Sequence, residues 1–179
     1  MTVDRYLMVT PDKGDGSLTG YNVWKWIDYD NYNYPYAGAG SPDFSTNWII
    51  LRYAEIYLND AEARLETGDV EGARKAVNMI RQRVGLPDLT ESDPEKLREL
   101  IRKERRIEFA FEEQRFYDVR RWKIGPETQT TLHGVRFVSP TEFKVTKTDI
   151  RTWNDRLYLT PVPHDEIVRS SVLKQNPGY

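Results

Sequence analysis

Glu104, Glu108 and Glu112 recur at every fourth position, so a helix through them would carry all three carboxylates on one face. Two carboxyl groups set side by side can hydrolyse a glycosidic bond, provided one has a raised pKa and serves as the acid. Arg105, Arg106, Arg115, Arg120 and Arg121, together with Asp118, crowd the same stretch. Nearby positive charge lowers carboxyl pKa values, which works against that acid. The spacing instead favours a structural ion-pair network of Glu104, Arg105, Glu108, Glu112, Arg115, Asp118 and Arg120, because helix-spaced opposite charges pair with each other.

The other reactive side chains are sparse. His133 and His164 are the two histidines, and neither has a histidine or cysteine four residues away as a metal motif requires. There is no cysteine, which removes disulfides, thiolate catalysis and sulfur-ligated metals. Asp12-Lys13-Gly14-Asp15-Gly16 resembles a calcium loop only in composition, since its third position is glycine and no glutamate closes it. Those residues read as a turn. A net charge of −2 gives no basic patch for nucleic acid. No apolar run approaches the roughly 20 residues that cross a bilayer.

Aromatic residues are the one compositional excess, with eleven Tyr and five Trp. Trp24, Trp26, Tyr32, Tyr34 and Tyr36 cluster in one segment, and flat amphipathic rings suit sugar partners. The competing reading of these rings is that they anchor an irregular loop.

The elements that must hold these residues follow from periodicity. Residues 1–46 read as an irregular, aromatic-rich segment with one or two short strands, the Tyr21–Tyr29 stretch among them. Residues 47–125 read as a helical core. Ala54, Tyr57, Leu58, Ala61 and Leu65 form one helical face, ended by Gly68. Asp69 caps a second helix with Val70, Ala73, Val77, Ile80 and Val84 inward. The short connection makes the two antiparallel neighbours, and Ala61, Ala73 and Ala76 let them approach closely. Asp93-Pro94 announces a long third helix, through Leu97, Leu100, Ile101, Ile107 and Phe111 toward Trp122. Residues 126–179 read as loop with short strands at 135–138, 143–146 and 157–159 and a helical turn near Asp165–Val168. The fold class is mainly α: a tetratricopeptide-like hairpin plus a long helix, with aromatic-rich loops and short β segments. One such hairpin cannot bury both its faces, so the chain reads as part of a longer protein.

Four motifs carry a resemblance. Arg52-Tyr53-Ala54-Glu55 with Tyr57-Leu58-Asn59 and Ala61-Glu62-Ala63 is similar to the "RYAE-x-YLN-x-AEA" helix of the SusD/RagB family. Asn78, Arg81, Arg83 and Gly85-Leu86-Pro87 match its second segment. Glu104-Arg105-Arg106, Glu108, Ala110-Phe111-Glu112, Arg115, Asp118 and Arg120-Arg121-Trp122 match its signature. Tyr158-Leu159, Pro161-Val162-Pro163, Glu166-Ile167 and Gln175-Asn176-Pro177-Gly178-Tyr179 match its ending. The match runs in order from about Trp48 to Tyr179.

That resemblance implies a non-catalytic binding protein with no cofactor. It implies a surface-exposed lipoprotein of the cell outer membrane that caps a SusC-like TonB-dependent transporter and captures a glycan or oligosaccharide, sometimes a peptide. Membrane contact would come only through a lipid anchor, and this chain has neither a signal peptide nor a lipidation cysteine. The family's earlier helical hairpins are absent too, so the chain reads as its carboxy-terminal region. Glu113 stands where the family usually has glycine, which suggests a more continuous third helix. Two rivals remain: a tetratricopeptide-like adaptor for a protein partner, and a glycoside hydrolase built on the glutamate ladder.

Overall fold

The computed structural model describes residues 25–26, 47–139 and 142–179. The chain divides into two compact units, residues 27–115 and residues 1–26 with 116–179.

In the first unit, α1 (Tyr53–Glu66) and α2 (Val70–Arg83) form a helical hairpin. Gly68 sits at φ +89°, which costs glycine nothing. That conformation lets the Asp69 N–H reach the Arg64 carbonyl at 2.8 Å and the Gly68 N–H reach that of Leu65 at 3.1 Å, closing the helix. Asp69 then accepts from the Gly72 N–H and starts α2. Gly85, at φ +72°, ends α2 with the same pair of bonds, from Leu86 to Arg81 and from Gly85 to Gln82. Asp93 caps α3 (Pro94–Glu108) by accepting from the Lys96 N–H at 2.9 Å.

These three helices bury Ala54, Leu58, Ala61, Leu65, Ala73, Ala76, Val77, Ile80, Leu97, Ile101 and Phe109 in one core. Ala61 and Ala73 have no exposed surface, in keeping with a close approach of the two backbones. Tyr57, Val70 and Leu89 pack at its edge.

The long third helix is not formed. It stops at Glu108, and α4 (Gln114–Arg121) starts after a turn in which Phe111 and Glu113 adopt φ of +63° and +64°. Glu113 therefore takes the left-handed conformation that a glycine would hold without strain, and the continuous helix expected from its identity is corrected. Ile107 and Phe111, expected to face inward, are 61% and 54% exposed, while Phe109 is buried. Burial of Phe109 and the bonds that gather at Glu108 and Glu112 outweigh the few tenths of a kcal/mol per residue that helix propensity offers.

In the second unit, α5 (Gly125–Thr128) precedes an antiparallel hairpin, β1 (Thr131–Ser139) with β2 (Glu142–Ile150). Both strands are longer than the expected 135–138 and 143–146. Pairing runs Val135 to Val145, Arg136 to Lys144 and Phe137 to Phe143, with irregularities after Leu132 and Phe137. The strand expected at 157–159 is instead a 3-10 turn, Asp155–Tyr158. Asn154 accepts from the Arg156 N–H at 3.0 Å and so starts a turn where a strand would need a partner. Trp153 lies against Tyr158 with centroids 5.0 Å apart and over the face of Gly125. The short α6 (His164–Arg169) falls where the helical turn was expected. The tail is tied back by Gln175, which exchanges two hydrogen bonds with the Val162 backbone, and by Asn176 donating to the Thr160 carbonyl.

Candidate functional site

The glutamate ladder, Glu104 and Glu108 on α3 and Glu112 in the turn after it, meets arginines of α2 and the arginine just before α1. Glu104 accepts from Arg81 of α2 at 2.7 Å. Glu108 accepts from Arg83 of α2 at 2.7 Å and also bonds Arg52, the residue that precedes α1. Glu112 receives two bonds from the same Arg52 guanidinium, at 2.7 and 3.0 Å. A further Arg52 nitrogen donates to the Glu108 carbonyl at 2.7 Å. The guanidinium also lies 4.6 Å from the Phe109 ring centre, a cation over an aromatic face. Burial alone would lower the Arg52 pKa, but the bonds to Glu112 and Glu108 reverse this and hold it above its usual value.

Arg105 stands on the same helix, between the first two glutamates of the ladder. It donates to Asn59 of α1 at 2.7 Å and stacks on Phe109. Asp118 and Arg120 are placed on α4, in the second unit. Asp118 is buried and accepts from Arg121 at 3.1 Å. Arg120 donates to the Phe116 carbonyl and lies 3.4 Å over the Phe116 ring. Arg115, half-buried, is the second residue of α4.

The partners that sequence reasoning missed are Arg52, Arg81, Arg83 and Asn59. All four fall within the first two motifs, so the signal was present. Spacing within one helix could not assign the three arginines to glutamates some 20 to 60 positions away, or Asn59 to Arg105.

With each carboxylate engaged by arginine, the ladder offers no open acid. A crevice between α1 and α3, lined by Leu65, Ile101 and Arg98, has a volume of about 10 Å³, room for roughly one water and not for a sugar ring. Among the described residues no cluster of His, Asp or Glu is placed to hold a metal. His133 and His164 are both exposed, on β1 and at the start of α6. Among the described residues, no helix is long and apolar enough to cross a membrane. Of the aromatic candidates, Trp26 is half-buried in a turn, while Trp24, Tyr32, Tyr34 and Tyr36 lie outside the described residues.

Comparison with known proteins gives one consistent answer. The chain matches the model of the SusD family over residues 6–179. It is 38% identical to SusD-like protein P2 of Formosa agariphila over 155 residues, 80% of this chain and 28% of that protein. SusD-like protein P25 of the same organism is 32% identical over 84% of this chain and 31% of its own length. The crystal structure of a SusD-like protein from Bacteroides fragilis NCTC 9343 superimposes with a TM-score of 0.85 and is 97% identical. It covers 100% of this chain, which in turn covers 34% of it. The solved structure of BT4246 is 32% identical with a TM-score of 0.80, over 96% of this chain and 30% of its own. The chain thus spans about a third of the length of these relatives.

Proposed function

The chain belongs to the SusD family of non-catalytic binding proteins, and we propose from that membership that it captures a glycan as part of a surface lid on a TonB-dependent outer-membrane transporter. The family match across residues 6–179 carries this reading. The engagement of Glu104, Glu108 and Glu112 by arginine agrees with it, since a hydrolase would need one of them free to donate a proton. The glycan contacts are assigned to Trp24, Trp26, Tyr32, Tyr34 and Tyr36. The partner is a SusC-like transporter, and the location is the cell surface through a lipid anchor.

Affinity electrophoresis in gels containing neutral glycans tests the assignment. The chain spans about a third of its relatives, and each 1.4 kcal/mol of missing contact is about tenfold in affinity. Weak retardation is therefore expected, and Trp24→Ala/Trp26→Ala should abolish it. Strong retardation that survives the double substitution would move the glycan site elsewhere. A second reading, a helical adaptor for a protein partner, draws on the exposed Ile50, Leu51, Tyr53 and Ile56 at the start of α1. It predicts no retardation by any glycan.

A further inference from the structure

The β1–β2 hairpin carries an unbalanced charge. Arg136 and Lys144 are direct cross-strand partners and both are exposed. Like charges in that position repel, so the pair weakens the hairpin that holds it. Neither cation has a carboxylate partner among the described residues. Glu142 stands two residues from Lys144 on the same side of the strand without forming an ion pair to either. Asp149 is engaged by Arg151 at 3.1 Å. Residues 131–151 thus hold four cations against two carboxylates, in a chain of net charge −2.

The neighbouring rung on that face, away from the irregularity after Phe137, is Gly134 with Thr146, also without an apolar side chain. Toward that irregularity the exposed Val138 adds a single small apolar group beside Arg136. The exposed Phe143 and Val145 stand at the alternate positions, on the other face. A protein interface is apolar and aromatic at its centre and depleted of charge there. A membrane surface would have to take apolar residues and cations from one face. A hydrophilic polymer with regularly placed acids asks for neither. Directly opposed residues have Cβ atoms about 5 Å apart, so one carboxylate can reach both cations, and the planar arginine fork matches it.

We propose that the Arg136–Lys144 rung binds the carboxylates of an acidic polysaccharide, a uronate-bearing glycan. The proposal rests on the glycan-capture reading for the class of polymer and on the hairpin alone for the site. The test runs the full 179-residue chain in native gels containing polygalacturonate, with methyl-esterified polygalacturonate as the uncharged counterpart. Wild type should be retarded by the acid form alone, and 1 M salt, where screening acts over about 3 Å, should abolish this. R136Q/K144Q should lose about tenfold in affinity while melting no lower than wild type, since repulsion is relieved; K144R should retain binding.

Equal retardation by the ester, or retardation undiminished in R136Q/K144Q, overturns the proposal. So does a lower melting temperature of that variant, which would make the pair structural. Equal binding to poly-glutamate or to phosphatidylglycerol vesicles overturns it in favour of an acidic protein or a membrane. The two readings separate cleanly. Retardation by neutral glycans through Trp24 and Trp26 with no gain on the acid form sinks only the hairpin site. Retention on polygalacturonate through Arg136 and Lys144, unaffected by Trp24→Ala/Trp26→Ala on any glycan, sinks only the aromatic site.

Discussion

Replacing Arg52 with alanine removes the contact that joins the start of α1 to the end of α3. The guanidinium gives two bonds to Glu112, one to the Glu108 carbonyl and one to the Glu108 carboxylate, and it covers Phe109. The Arg52 side chain is 22% exposed, that of Glu108 12% and that of Glu112 4%. An exposed pair would contribute under about 1 kcal/mol, whereas removing one partner of a buried pair costs about 3–5 kcal/mol. This pair lies between those limits and nearer the second, because the carboxylate that loses its two-pronged partner is the enclosed one. The expected loss is about 2–4 kcal/mol, a fall in Tm of about 5–12 °C for a chain of this size. Arg52→Lys keeps the charge without the fork and should fall between. Arg52→Met/Glu112→Gln should recover part of the loss, since the enclosed Glu112 carboxylate is then no longer left facing an absent cation. Circular-dichroism melts of wild type, Arg52→Met, Glu112→Gln and the double variant complete a double-mutant cycle. A fall of less than about 1 °C for Arg52→Ala, small beside the expected range, would refute the argument from enclosure.

Glu113→Gly should stabilise the chain by about 0.5–1 kcal/mol, because a left-handed residue other than glycine costs about 1–2 kcal/mol and glycine's extra entropy returns part of it. A thermal melt that moves down would mean that the Glu113 side chain contributes more than its backbone costs. Gly125→Ala places a Cβ 2.1 Å from the Trp153 indole, so this overpacking should cost about 1–3 kcal/mol and change the near-ultraviolet signal of the tryptophan. An unchanged spectrum and melt would place Trp153 elsewhere. The Asp69 carboxyl is held below its usual value of 3.8, first by the Gly72 N–H and then by Arg64. A depressed pKa contributes stability above 3.8 that is lost as pH falls through the lower folded value. The difference in Tm between wild type and Asp69→Ala should therefore shrink as acid titrates this carboxyl, and a constant difference would refute the cap's charge.

What was legible in the sequence was local. Gly68 and Gly85 ended helices, Asp69 and Asp93 began them, and the periodic Leu58, Ala61, Ala73, Val77, Leu97 and Ile101 went inward. Each is decided within a turn or two of helix, where period and capping chemistry act. The turn after Glu108 was not legible, because Ile107 and Phe111 continue a helical period that distant contacts interrupt. Nor was the 3-10 turn at Asp155–Tyr158, where Leu157, Tyr158 and Leu159 look like a strand but Asn154 supplies a cap.

The charge network shows the same limit at the level of the candidate site. Along that stretch Glu108 has Arg105 three residues before it and Glu112 has Arg115 three residues after it, which suggests pairing along a helix. Arg105 reaches across to Asn59 and stacks on Phe109, and the carboxylates reach Arg52, Arg81 and Arg83 on other elements. Arg52 lies in the first of the four motifs, Arg81 and Arg83 in the second, and the three glutamates in the third. Motifs that look like separate signatures along the chain are thus one contact set across three helices. Their order and spacing follow from that geometry: Gly68 must turn the chain between α1 and α2, and Gly85-Leu86-Pro87 must end α2 before α3 can lay its acidic face against both. A chain that kept the glutamates but lost Arg52 or Arg81 would keep its helical period and lose the clamp, so a contact set rather than a helical pattern is what the shared residues encode.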